Sequence, residues 1–283
     1  MDRRAELSLD TQWVRSRLCR FIGRGIAGAG RHRAVLGLSG GLDSAVVCYL
    51  AAEALGSENV LALTMPYSTS SPSSLADALD VVRSTGVEHL HFEISPMLRP
   101  LFAAFTDMDA RRRGNAMARA RMIVLYDRSE AFGGLVLGTG NKTEILLGYS
   151  TLHGDSACAL APIGNLYKTQ VRQLAAHLGV PDSIRLKPPS ADLWPGQTDE
   201  EELGLSYEAA DSILWQLFER GRHPRDLLAD GYPAEQVSLV CRSVRRSQFK
   251  RCLPPVGPTG QCRDATPAGR GSEATLWPDL DST

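Results

Sequence analysis

The residues best equipped for chemistry stand together at Ser39-Gly40-Gly41-Leu42-Asp43-Ser44, after a short apolar run at 34–38 and before a helical pattern. Adjacent glycines let backbone N–H groups turn toward one point and form a nest for an anion. The positive end of the following helix reinforces it. Ser39 and Ser44 add hydroxyl donors for phosphate oxygens. An acid in such a loop repels phosphate unless a cation lies between, so Asp43 points to a bridging Mg²⁺. The alternative is a plain turn with Asp43 as helix cap. The loop lacks the G-x-x-x-x-G-K-[ST] spacing of a Walker A motif. A literal GxGxxG at 23–28 follows a helical pattern rather than a strand, so it is not a dinucleotide fingerprint.

The elements that must position this loop follow from periodicity. Apolar residues at helical spacing predict a helix over 8–27, ended by Gly28-Ala29-Gly30. Strands are expected at 34–38, 60–63, 89–94 and 135–137. Helices are expected at 43–55, 73–83 and 116–132 between them, then at 168–178, 207–220 and 234–247. Strands alternating with helices imply a doubly wound, mainly parallel α/β sheet with helices on both faces and a helical C-terminal region. Ligands in such folds sit at the carboxyl ends of the strands. The segment 138–168 is rich in Gly, Asn, Thr and Asp and reads as functional loop. Residues 254–283 hold five Pro and four Gly and read as a disordered tail, after one domain over 1–253.

Composition narrows the class. The chain has 283 residues, a formal charge of -1, 43% apolar and 22% charged residues, which are ordinary globular proportions. Near-neutral charge argues against a dedicated nucleic-acid binder. No apolar run approaches the roughly 18 residues of a membrane helix. No signal-like block follows Met1, so a cytoplasmic protein is expected. Six cysteines without CxxC spacing are expected to be reduced and mostly buried. Only four of the 31 Lys+Arg are lysines, at 142, 168, 187 and 250.

The loop at 39–44 resembles the pyrophosphate-binding loop of the N-type ATP pyrophosphatases, whose fold is adenine nucleotide alpha hydrolase-like. Further segments are similar to one member, ammonia-dependent NAD synthetase. They are Gly114-Asn115 through Arg119, Arg121 and Met122; Leu137-Gly138-Thr139-Gly140-Asn141-Lys142-Thr143-Glu144; Ala161-Pro162-Ile163 with Leu166 to Arg172; Lys187 to Trp194 with Gly196 to Gly204; and Lys250-Arg251. All four lysines fall inside them, and the resemblance covers about 8–255. It implies an ATP-dependent, AMP-forming ligase that adenylates a carboxylate and amidates it with ammonia. It implies ATP phosphates on Ser39, Gly40, Gly41, Asp43 and Ser44, and further ATP contacts from Thr139, Lys168 and Ser190. It implies Mg²⁺ on Asp43 and Glu144, and catalytic roles for Asp43, Lys168 and Asp155, although an Asx turn also explains Asp155. It implies a homodimer as well.

The acid-substrate positions depart from the family pattern. Leu152 stands where these enzymes carry Lys, Ala159 where they carry an acid, and Phe249 where they carry His. Arg119 and Lys250 remain. The nominal acid is deamido-NAD. The alternatives are a paralogue that activates another carboxylic acid for amine or sulfur transfer, and a non-catalytic nucleotide-binding regulator. Only 38 residues precede Ser39, so free ammonia, a separate glutaminase or another amine is the expected nitrogen source.

Overall fold

A computed structural model describes residues 5–190, 192, 194 and 196–252. The proposed tail at 254–283 lies outside them. Four parallel strands form one sheet: β1 (Arg33–Gly37), β2 (Val60–Thr64), β3 (Glu88–His91) and β4 (Gly134–Leu137). Their order is β3-β2-β1-β4. β1 pairs in register with both β2 and β4, as Leu36 with Ala62 and with Leu137. The first two crossovers step outward from β1, and the third returns to its other side. Carboxyl ends of β1 and β4 therefore flank the switch point, where a crevice opens in sheets of this kind.

Helices precede and fill the crossovers. They are α1 (Thr11–Gly28), α2 (Leu42–Leu55), α3 (Pro72–Thr85), α4 (Ser95–Ala104) and α5 (Ala110–Phe132). After β4 come α6 (Lys142–Leu147), α7 (Lys168–Leu178), α8 (Asp182–Arg185), α9 (Asp199–Leu203), α10 (Tyr207–Phe218), α11 (Pro224–Ala229) and α12 (Ala234–Ser247). Alternate strand residues face opposite layers, as the pleat requires. Ala34, Leu36, Ala62 and Leu137 join the core under α1, α2 and α7. Val35, Leu61, Leu63 and Val136 join the core under α4 and α5. A third core gathers α6 and α10 to α12.

Several boundaries move. The third strand stops at His91, and Ile94 instead caps α4, which periodicity did not reveal and which carries an interior Pro100. α5 starts at Ala110, six residues early, because Asp109 caps it through the Arg112 N–H. Within 138–168 the chain forms α6, and α8, α9 and α11 are likewise short helices between longer ones.

One glycine shows how tightly the loop is set. Gly40 sits at φ +79°, and a Cβ there would fall 2.0 Å from the Ser74 carbonyl oxygen at the start of α3. Gly40→Ala is therefore expected to cost about 1–3 kcal/mol from the strained φ alone, with the backbone clash added. Urea unfolding checks this, and an unchanged midpoint would mean that the loop packs differently.

Candidate active site

The loop 39–44 closes on itself. Ser44 Oγ donates to the Gly41 carbonyl at 3.0 Å and accepts the Ser39 N–H at 3.2 Å. Ser39 Oγ accepts the Gly41 N–H at 3.2 Å and lies 3.1 Å from Ser44 Oγ. The hydroxyls expected on phosphate also shape the turn. Asp43 is not the cap. Gly41 is, with no side-chain bond to the first turn of α2, an arrangement in which a helix start can accept an anion.

Asp43 and Glu144, from the two loops beside the switch point, meet at Lys168. Lys168 Nζ donates to Asp43 Oδ2 and, at 3.4 Å, to Glu144 Oε1. Asn141 Nδ2 donates to the other Asp43 oxygen at 3.1 Å. Asn141 also caps α6 in a reciprocal box with Glu144: its Oδ1 accepts the Glu144 N–H at 3.0 Å, and Glu144 Oε2 accepts the Asn141 N–H at 3.2 Å. The box presets the carboxylate of Glu144. Lys168 opens α7, where the helix dipole disfavours a cation, and it is 3% exposed. The two carboxylates explain its place. Burial disfavours its charge, but Asp43 and Glu144 outweigh that and hold the ammonium above its ordinary pKa.

Glu144 is raised too, but for a carboxyl that favours the neutral form. Burial pushes it up to about 8, Lys168 opposes the shift, and Asp43 and Asp199 add to it. Behind Glu144 stands a second row that sequence reasoning missed. Tyr207 gives its hydroxyl to Asp199 Oδ2 at 3.0 Å and to Glu144 Oε1 at 3.4 Å. Tyr149 donates to Asp199 Oδ1 at 3.0 Å. The available signal was Asp199 in the segment 196–204; nothing marked Tyr207 beyond its place in a helix.

The other expected residues spread along the crevice. Thr139 lies between β4 and the Asn141 cap. Ser190 accepts the Asp192 N–H at 3.1 Å, and Asp192 in turn accepts the Ser71 N–H at the cap of α3. Lys187 reaches Ser74 Oγ at 3.2 Å and Asp77 at 3.0 Å. The segment holding Ser190 is thus pinned to the helix start that touches Gly40. Asp155 is not in the Lys168 cluster. Its Oδ1 accepts the Thr151 N–H at 2.6 Å, four residues back, which is no Asx turn.

Of the five acid-substrate positions, Leu152 and Ala159 lie in the loop 148–160, and Arg119, Phe249 and Lys250 lie outside it. Arg119 Nε donates to the Leu152 carbonyl at 3.2 Å. Lys250 Nζ donates to the carbonyls of Gly148 and Ser150 at 2.8 and 2.6 Å. Ala159 extends the sheet beside β4, its N–H on the Val136 carbonyl at 2.9 Å. Phe249 is 62% exposed and points away from the core. Arg119 and Lys250 therefore hold one loop from two sides, whereas Leu152 and Ala159 present neither a charge nor a hydrogen-bonding side chain to it.

Comparison with known proteins places the chain in one family. The family model described as NAD synthase matches residues 14–254. The NH(3)-dependent NAD(+) synthetase of Trichlorobacter lovleyi is 52% identical over 250 residues, which is 88% of this chain and 92% of that protein. The enzyme of the same name from Fusobacterium nucleatum is 46% identical over 249 residues, 88% and 96% of the two chains. Among solved structures, NMN synthetase from Francisella tularensis superposes with a TM-score of 0.79 at 32% identity, covering 89% of this chain and 100% of that one. NH3-dependent NAD synthetase from Campylobacter jejuni does so with 0.76 at 32%, with the same coverage.

Proposed function

The chain belongs to the NAD synthase family, and from that premise we propose that it is an ammonia-dependent NAD synthetase working through an acyl adenylate. A carboxylate oxygen of deamido-NAD bonds to the α-phosphorus of ATP, and the bond to the β-phosphate oxygen breaks, releasing pyrophosphate. Ammonia then attacks the carbonyl carbon, AMP departs, and the nitrogen gives up a proton to leave the amide. The observation that carries this reading is the convergence of Asp43 and Glu144 on Lys168 beside the loop 39–44. Adenylyl transfer needs little covalent help from the protein; it needs position and charge neutralisation. The α2 start holds phosphate. Lys168 supplies a compact cation for the departing pyrophosphate.

Two oxygen-donor carboxylates suit Mg²⁺, which takes one or two such ligands and completes its shell with phosphates and water. No group of three or more metal-ligating side chains occurs among the described residues, so a closed protein cage is not what they form. Asp43 and Glu144 would hold the ion, which neutralises charge on the phosphates when bound.

The pH dependence follows from Glu144. A cation needs its carboxylate form, and a proton competes below about 8. The Mg²⁺ concentration for half-maximal AMP formation is expected to fall as pH rises from 6.5 to 8, by up to about tenfold per unit, and then to level off. Without metal the sign for stability is opposite. A carboxyl whose folded pKa is raised stabilises fully below its unfolded value near 4.5, and this contribution is lost as pH rises toward about 8. Titrating Mg²⁺ dependence in wild type and Glu144→Gln checks this, because the variant should show no slope.

The altered residues at 152, 159 and 249, and the likeness to an NMN synthetase, favour a second reading in which a mononucleotide acid is amidated. Purified protein with ATP, Mg²⁺ and ammonium, offered deamido-NAD or nicotinate mononucleotide in turn, decides it: NAD formed with the larger kcat/KM supports the first reading, and NMN supports the second. The cytoplasm is the proposed site, where ATP is at hand. The exposed apolar side chains Met97, Leu101, Phe105, Ile123 and Tyr126 on or beside α4 and α5 support a homodimer through that face, next to Arg119.

A further inference from the structure

α10 carries an acid that the reaction itself does not use. Asp211 is fully buried, on a helix where Ala210, Ile213 and Leu214 are buried as well. A carboxylate among such side chains costs several kcal/mol unless its oxygens are bonded. Here both are. Oδ1 accepts the Thr143 hydroxyl at 2.5 Å, and Oδ2 accepts the Thr169 N–H at 2.8 Å. The Thr143 hydroxyl, committed as a donor to Asp211, accepts the Lys168 N–H at 3.0 Å. One buried carboxylate thus joins the first turn of α6 to the first turn of α7, and the positive end of α7 faces it.

The joined residues are the chain neighbours of the reactive ones. Thr143 precedes Glu144, and Thr169 follows Lys168. One turn earlier on α10, Tyr207 touches the same pair: its hydroxyl lies 3.4 Å from Glu144 Oε1, and the Lys168 ammonium sits 5.0 Å from its ring centre. Tyr207 and Asp211 are four apart and so share one helix face. If packing were all that this face had to provide, an apolar side chain would do as well as an acid or better.

We propose that Asp211 is a positioning residue of this enzyme, which sets Glu144 against Lys168 by tying α6 to α7 through Thr143. The inference rests on the reaction proposed above. It assigns to the C-terminal helices the task of fixing the geometry of a site whose groups come from the sheet loops. A displacement of about 1 Å at such a site costs on the order of 100-fold in rate.

Thr143→Val, Thr143→Ser, Asp211→Asn and the pair Asp211→Asn/Thr143→Val test it at 20 °C, with folding followed by circular dichroism. The valine removes the hydroxyl at constant shape, and the serine keeps it. The expected result is a kcat for AMP formation about 30- to 100-fold lower in Thr143→Val and Asp211→Asn, with the ATP Kd within about threefold of wild type. Thr143→Ser should return to within about threefold, and the double variant should be little worse than either single one, since both break one linkage. A folded Thr143→Val with wild-type kcat overturns the proposal, and so do additive losses. If Asp211→Asn does not fold, the valine and serine variants carry the test alone. Failure of the reaction reading shows separately, as wild-type protein that makes no AMP. The linkage itself is then read from the urea midpoints of the same variants, where additive losses in the double variant overturn it.

Discussion

Lys168→Met is expected to be the most damaging single change, in stability and turnover together. The ammonium is buried and bonded to Asp43 and Glu144, and a methionine fills its volume without its charge. Replacing both partners of a buried ion pair can be neutral, but removing one strands the other. Asp43 would keep only the Asn141 amide. The cost is about 3–5 kcal/mol of folding stability. Glu144 answers by holding its proton to still higher pH, so the loss should shrink as the solution is acidified. Turnover loses the cation proposed for the departing pyrophosphate, and about 4 kcal/mol of lost transition-state stabilisation is a factor of roughly 10³. Urea unfolding at pH 6 and 8 with an AMP assay reads both. A stable variant with wild-type AMP formation would remove Lys168 from the site.

Asp43→Asn is expected to hurt catalysis nearly as much and stability much less. In the native protein one Asp43 oxygen accepts from Asn141 and the other from Lys168. An asparagine must turn its NH₂ group toward one of these donors, and it brings no charge for a cation. Lys168 nonetheless keeps a partner. Glu144 lies within reach, and without Asp43 beside it that carboxyl ionises more readily. The stability cost should therefore be well below that of Lys168→Met, about 1–2 kcal/mol. AMP formation should fall by about 10²–10³, the range for losing one charge-stabilising group. Half-saturating Mg²⁺ should rise. Comparing the two variants by urea unfolding checks the order; equal stability losses would mean that Glu144 does not take over the lysine.

Much of this was legible before any coordinates. The four strands, α2, α7 and α12 lie close to where periodicity places them, because each packs an apolar face against the sheet or a neighbouring helix. The loop 39–44 and the segment 137–144 flank the switch point as a doubly wound sheet requires. Other features were hidden. α6 spans six residues between Asn141 and Gly148, too short for a period to show. Pro100 disguises α4. The loop-shaping bonds of the Ser39 and Ser44 hydroxyls were hidden too, because a hydroxyl rotor can turn to any near acceptor and no residue spacing marks which. Asp211 lies 68 residues from Thr143 and 42 from Thr169, so no local pattern joins them. Its one mark in the sequence is an acid at a helix position whose neighbours turn inward.

The central claim is that the carboxylate is activated by AMP rather than by phosphate. Deamido-NAD labelled with ¹⁸O in its carboxylate tests this directly, with ATP, Mg²⁺ and ammonium present and the products separated for mass spectrometry. The account predicts one ¹⁸O in the phosphate of AMP for each NAD formed, and none in pyrophosphate. Label in inorganic phosphate with ADP as co-product, or unlabelled AMP beside NAD, would contradict it.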